Sequence, residues 1–210
     1  MTKFYAAASA IAVAALLGGS LAWWWINRTA PDALSACRGG QPAGTIGGPF
    51  TLVNGQGVTV TDAEVLTKPS LVYFGYTSCP DICPFDSARN AEAVDILEER
   101  GIDATPVFIT VDPERDTPTV MAETAASLHP KMVGLTGSAD QIKAAAQAYK
   151  VLYSKEDSGD EYYLMNHTTY TYLMLPGIGF ADYFNRETTA DAMADRVACF
   201  VDAAETVAQN

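Results

Sequence analysis

Leu71-Val-Tyr-Phe-Gly-Tyr-Thr-Ser-Cys-Pro-Asp-Ile-Cys-Pro84 is an apolar run that breaks into a loop carrying two cysteines. Its first six residues, Leu71 to Tyr76, are almost continuously apolar or aromatic, the pattern of a strand buried on both faces. After the loop, Phe85 to Arg100 carries apolar residues at helical spacing, and Gly101 supplies a C-terminal stop. The cysteines therefore follow the carboxyl end of a buried strand and precede a helix, which is where open α/β sheets build their sites.

Outward from this unit the elements alternate. Upstream, Phe50 to Val60 reads as two short strands around the Asn54-Gly55 turn. Downstream, Thr105 to Val111 is a strand, Asp112 to Pro118 a loop, Thr119 to Leu128 a helix and Met132 to Leu135 a short strand. Ser138 caps a helix through Tyr149, with Asp140 in its first turn. Val151 to Tyr153 and Tyr162 to Met165 read as strands around the polar turn from Glu156 to Asp160, Thr169 to Leu175 and Gly179 to Phe184 as a hairpin through Pro176-Gly177, and Thr188 to Val207 as the closing helix. The order predicts an α/β domain with a mixed central sheet flanked by helices.

Cys79 and Cys83 have three residues between them, an i, i+4 relation that turns both sulfurs the same way in a helical turn. A helix start favours thiolate, so a lowered thiol pKa is expected there. Only one comparable imidazole, His167, lies downstream; the other histidine, His129, precedes Pro130 at a helix end and suits an interaction with the helix dipole. Two thiolates and an imidazole form a soft, low-coordinate ligand set suited to copper in either oxidation state. The same spacing permits a disulfide. A loop one residue wider than the thioredoxin-like redox motif, stiffened by Pro80 and Pro84, favours a chelate over rapid disulfide cycling. The tyrosines and methionines between Tyr162 and Met174 read as core at strand spacing rather than as a copper port.

The 210 residues are 49% hydrophobic and carry a formal charge of −12, with no basic stripe, which argues against a nucleic-acid partner. Ala6 to Ile26 is 21 residues without a formal charge, followed by Arg28 and containing Trp23, Trp24 and Trp25. At about 1.5 Å per residue it is long enough to span a bilayer core with the tryptophans in an interfacial belt. The expected organisation is a membrane anchor over residues 1–28, a linker over 29–48 and one domain over 49–210. A cleaved signal and the lipobox-like Leu34-Ser-Ala-Cys37 are the alternatives, and the polar stretch from Asn27 to Asp32 speaks against cleavage. Charge bias leans towards a cytoplasmic amino terminus with the acidic domain outside. In an oxidising compartment Cys37 and Cys199, near the two ends of that domain, form a candidate staple.

Phe74-Gly-Tyr-Thr-Ser-Cys-Pro-Asp-Ile-Cys-Pro84, Val111-Asp-Pro-Glu-Arg-Asp-Thr-Pro118 and the late His167 resemble the Sco/SenC family over nearly the whole chain. The resemblance implies a thioredoxin-like fold with an amino-terminal transmembrane helix in the inner membrane and the domain in the periplasm. It further implies one copper held by Cys79, Cys83 and His167, and a role with other copper chaperones in assembling the dinuclear copper centre of cytochrome c oxidase subunit II. Asp112 matches an acidic position near the site and is a candidate supporting residue; it is equally suited to capping its own turn. The Cys37 and Cys199 pair lies outside the family's general pattern.

Three functions follow from these residues. The first is a copper metallochaperone that releases metal by stepwise ligand exchange. A thiol-disulfide oxidoreductase using Cys79 and Cys83 as a redox pair, for which His167 is dispensable, is the second. A thioredoxin-like peroxidase is the third; it needs a cation beside the attacking thiolate, for which Arg89 and Arg115 are the candidates.

Overall fold

The computed structural model describes residues 33–38, 45–156 and 163–208. Seven strands form one mixed sheet in the order β2-β1-β5-β4-β3-β8-β9. They are β1 (Thr51–Asn54), β2 (Thr59–Thr61), β3 (Ser70–Gly75), β4 (Thr105–Thr110), β5 (Val133–Thr136), β8 (Thr171–Leu175) and β9 (Gly179–Phe184). Strands β3, β4 and β5 run parallel, while β1, β2, β8 and β9 pair antiparallel at the two sides. Two further strands, β6 (Tyr153–Lys155) and β7 (Met165–His167), form a separate hairpin arm. The helices are α1 (Asp62–Val65), α2 (Ile82–Glu99), α3 (Pro118–Leu128), α4 (Ala139–Ala148) and α5 (Ala190–Ala208).

All six residues of β3 are buried, as its unbroken apolar run requires of a central strand covered on both faces. Its side chains reach two cores. Val72 and Phe74 join Tyr172, Ile142 and Tyr149 on one side, whereas Leu71 joins Leu173 with Val94 and Leu97 of α2 and Val197 and Phe200 of α5 on the other. Each such side chain contributes about 1.5–3 kcal/mol on burial, so the sheet between these helices is a rigid mount.

Several boundaries differ from the sequence reading. Helix α2 begins at Ile82, ahead of the expected Phe85, because Pro84 is tolerated in a first turn and Cys79 Sγ accepts the Cys83 N–H at 3.3 Å. Strand β7 runs to His167, so the imidazole ends a strand instead of following one. Helix α1 escaped the reading because four residues carry no period; it is held by a reciprocal cap between Thr61 and Glu64.

Ala33–Arg38, within the stretch read as linker, is docked. Leu34 packs into the α2/α5 core and Arg38 Nε donates to the Ala181 carbonyl of β9 at 2.7 Å. Cys37 and Cys199 are joined in a disulfide with Cα atoms 5.8 Å apart. The expected membrane segment lies outside the described residues; among those described, no helix is long and apolar enough to cross a membrane.

Candidate metal centre

The centre is built where β3 ends. Gly75 pairs with Thr110 of β4, and Asp116 ties the loop beyond them: its carboxylate accepts from the Thr110 hydroxyl at 2.6 Å, from the Thr77 N–H at 3.0 Å and from the Thr77 hydroxyl. Thr77 stands two residues before Cys79, so this buried carboxylate fixes the entry to the cysteine loop. Gly75 is required by close packing. A Cβ there would lie 2.8 Å from the Tyr73 ring and 3.1 Å from Cys83 Sγ.

Cys79 and Cys83 are buried and unbridged, and both face His167. Their sulfurs and an imidazole nitrogen all lie within 4.8 Å of one another, with Cys83 Sγ 3.4 Å from His167 Nε2. The other ring nitrogen, Nδ1, is 3.0 Å from the Thr168 carbonyl. A carbonyl only accepts, so Nδ1 carries the hydrogen and the Nε2 lone pair points at the sulfur. Tyr73 and Tyr76 meet the imidazole edge-on, at centroid distances of 6.1 and 5.9 Å.

Electrostatics separates the two thiols. Burial pushes Cys79 up, but hydrogen bonds from the Cys83 thiol and from the N–H groups of Cys83, Asp81 and Ile82 outweigh it, leaving the thiol below its ordinary value. Cys83 lies deeper and faces Cys79; burial first and that neighbour second push it up to about 12. Burial also lowers the His167 pKa, opposed in part by the Thr168 carbonyl and the Asp86 charge, so the ring is neutral and its lone pair free near pH 7. A thiolate-prone sulfur, a protonated sulfur and a neutral imidazole therefore share one small space. Two soft sulfurs and one nitrogen fit a copper ion, and the three residues need no rearrangement of the main sheet to hold it.

Other expected site residues are placed elsewhere. Asp112 is buried but makes no hydrogen bond to the three donors; its carboxylate takes Arg115 and the Tyr163 hydroxyl, so its side chain does not cap its own turn. Arg89 pairs with Asp86 at 3.4 Å and Arg115 with Asp112, so both candidate cations for a peroxidatic thiolate are engaged by carboxylates and neither bonds a cysteine. His129 is buried at the end of α3, its ring held by Asp95 at 3.1 Å and by the Lys131 N–H. Met174 is core and Met165 packs against it.

The sequence reading missed Tyr73, Tyr76, Asp86 and Asp116. Tyr73 donates to Asp86 at 3.1 Å, and Asp86, buried three residues after Cys83, is balanced by Arg89 and Arg186. The i, i+3 step from Cys83 was a usable signal for Asp86. Nothing local marks the tyrosines.

The SCO1/SenC family model matches residues 38–202. The chain belongs to the SCO1/SenC family. Protein SenC of Rhodobacter capsulatus is 50% identical over 207 residues, spanning 98% of this chain and 93% of that protein. The crystal structure of Arabidopsis thaliana ScoI with copper bound is 40% identical, with a TM-score of 0.71 over 75% of this chain and 98% of that one. BsSco, a member of the Sco family of cytochrome c oxidase assembly proteins in which a disulfide switch was identified, is 27% identical, with a TM-score of 0.62 over 76% of this chain and 95% of that one. The mixed sheet flanked by helices is thus the thioredoxin-like fold of Sco structures.

Proposed function

We propose that this SCO1/SenC protein is a copper metallochaperone that carries one copper on Cys79 Sγ, Cys83 Sγ and His167 Nε2 and helps build the dinuclear copper centre of cytochrome c oxidase subunit II. In this reading Ala6–Ile26 anchors the chain in the inner membrane, the domain works in the periplasm, and other copper chaperones supply the metal. The observation that carries it is the convergence of the three donors within 4.8 Å; the copper-bound Arabidopsis relative supports the choice of metal.

The residues divide the work. Cys79 presents a thiolate at the start of α2, Cys83 gives up its proton as it binds, and His167 enters with its lone pair already aimed by the Thr168 carbonyl. Release reverses this order: a cysteine or histidine of the target takes the place of His167 first, because the sulfurs sit on the rigid sheet and helix. Low coordination leaves room for that incoming ligand.

A second reading is favoured by the lowered Cys79 thiol and by the BsSco switch. Here the Cys79 thiolate attacks a target disulfide, releasing one target thiolate. Cys83 then loses its proton and attacks the Cys79 sulfur, releasing the second, so two electrons pass and a Cys79–Cys83 disulfide remains. Burial holds the Cys83 thiol above its ordinary value, which slows that second step near neutral pH.

The test is copper stoichiometry of the reduced full-length chain in detergent micelles, alongside insulin reduction. One copper per chain, lost in both Cys79→Ser and Cys83→Ser and with negligible insulin turnover, is expected. No copper uptake with rapid insulin reduction would overturn the carrier in favour of the reductase.

A further inference from the structure

Building on the copper reading, we propose that Tyr163 is a positioning residue: its ring and hydroxyl clamp the arm that carries His167, and the clamp sets how readily the imidazole leaves the metal. Among the described residues, the ladder of the arm is three pairs, Tyr153 with His167, Ser154 with Asn166 and Lys155 with Met165. A two-stranded hairpin is marginal by itself in water, so the position of His167 depends on what fastens the arm to the body.

Tyr153 and Met165 of the arm pack against the core, and a set of polar fastenings converges four residues before the imidazole. The Tyr163 hydroxyl donates to Asp112 Oδ1 at 2.8 Å, with Glu114 Oε2 next nearest at 3.4 Å. Its ring carries two cations, Arg115 Cζ at 3.8 Å and Lys155 Nζ at 3.5 Å from the centroid. Arg115 Nη1 also donates to the Tyr163 carbonyl at 3.0 Å, and each cation has its own carboxylate, Asp112 for Arg115 and Glu114 for Lys155.

The clamp spans both partners. Lys155 belongs to the arm, Asp112, Glu114 and Arg115 to the loop after β4, and Tyr163 is gripped between them. The same guanidinium lies 5.6 Å from the Tyr76 ring, whose edge meets the imidazole. Arg115 thus reaches His167 by two routes, through Tyr163 along the chain and through Tyr76 across the ring contact. None of these residues donates to copper. They act through His167 alone, so loosening them weakens one donor and leaves the two sulfurs in place.

The experiment compares the full-length chain in detergent micelles with Tyr163→Leu, which removes ring and hydroxyl, and Tyr163→Phe, which keeps the ring between the cations. Two quantities are read: amide hydrogen exchange of residues 164–168 in the metal-free protein, and the rate at which Cu(II)-loaded protein yields copper to EDTA. Tyr163→Leu should raise both by about tenfold, the effect of losing roughly one charge-assisted contact, with Tyr163→Phe in between and exchange in β3 unchanged. Exchange and release equal to the parent in Tyr163→Leu, with β3 still protected, would overturn the proposal. If Tyr163→Leu loses β3 protection, Tyr163→Phe decides in the same way. A parent that takes up no copper would refute the carrier reading, while the exchange arm would still judge the clamp.

Discussion

Two regions meet at the metal centre and are held by different forces. The seven-stranded sheet with α2 is fastened by buried apolar side chains on both faces, and it carries Cys79 and Cys83. The β6–β7 arm, with its three pairs and its ring of hydrogen bonds and cations, carries His167. Hydrophobic burial on both faces gives a mount that moves little, whereas a three-pair ladder, with Tyr153 and Met165 against the core and the Tyr163 contacts beside them, opens at lower cost. A carrier needs both: donors that keep the metal and a donor that yields it.

Substitutions in the body and in the arm should have separable effects. The largest belongs to Phe74, fully buried between Tyr149 and Tyr172, at ring distances of 5.3 and 6.3 Å. Phe74→Ala should cost about 3–5 kcal/mol in denaturant unfolding of the metal-free protein. A cost under 1 kcal/mol would mean the body is not the rigid partner. Next comes the Cys37–Cys199 bridge, which closes 162 residues of sequence separation and pins the amino-terminal segment to α5. Replacing both by Ser should lower stability by about 2–4 kcal/mol without altering the copper spectrum, since the bridge touches neither the sulfurs nor the arm.

Proton linkage gives a smaller effect that separates the donors. Between the lowered pKa of His167 and the raised pKa of Cys83, about 12, the imidazole is already neutral and Cys83 is still protonated. Binding must release the Cys83 proton, so apparent affinity should rise about tenfold per pH unit for each proton released, and fall as pH drops. Copper competition titrations between pH 6.5 and 8.5 check this, and affinity independent of pH would contradict the assigned protonation states. Smallest is Thr168→Val in the arm, which removes the hydroxyl that accepts the Leu152 N–H at 3.0 Å. Global stability should change by about 1 kcal/mol or less, while copper release quickens.

The same division explains what the sequence made legible. Leu71–Tyr76 announces a buried strand because its pattern is continuous and bounded, and Cys79 and Cys83 stand out by residue type and spacing. His167 was found through its match to the family motif, since a lone histidine after Asn166 says little by itself. What stayed hidden is long-range or too short to carry a period. Tyr73 meets His167 of the separate arm, Asp112 takes the distant Tyr163 as well as Arg115 of its own loop, and the arm strands lie a few residues from their expected bounds. Three-residue strands offer too few alternations to fix register.

The measurement that bears most directly on the copper site is the Cu(II) spectrum of the full-length chain beside that of His167→Ala. The parent should show sulfur-to-copper charge transfer with nitrogen hyperfine coupling. The variant, with unchanged unfolding behaviour, should lose the nitrogen coupling and bind Cu(II) at least about tenfold more weakly. An identical spectrum and affinity in the two proteins would contradict His167 as a copper donor and leave a dithiol protein in which the imidazole is a bystander.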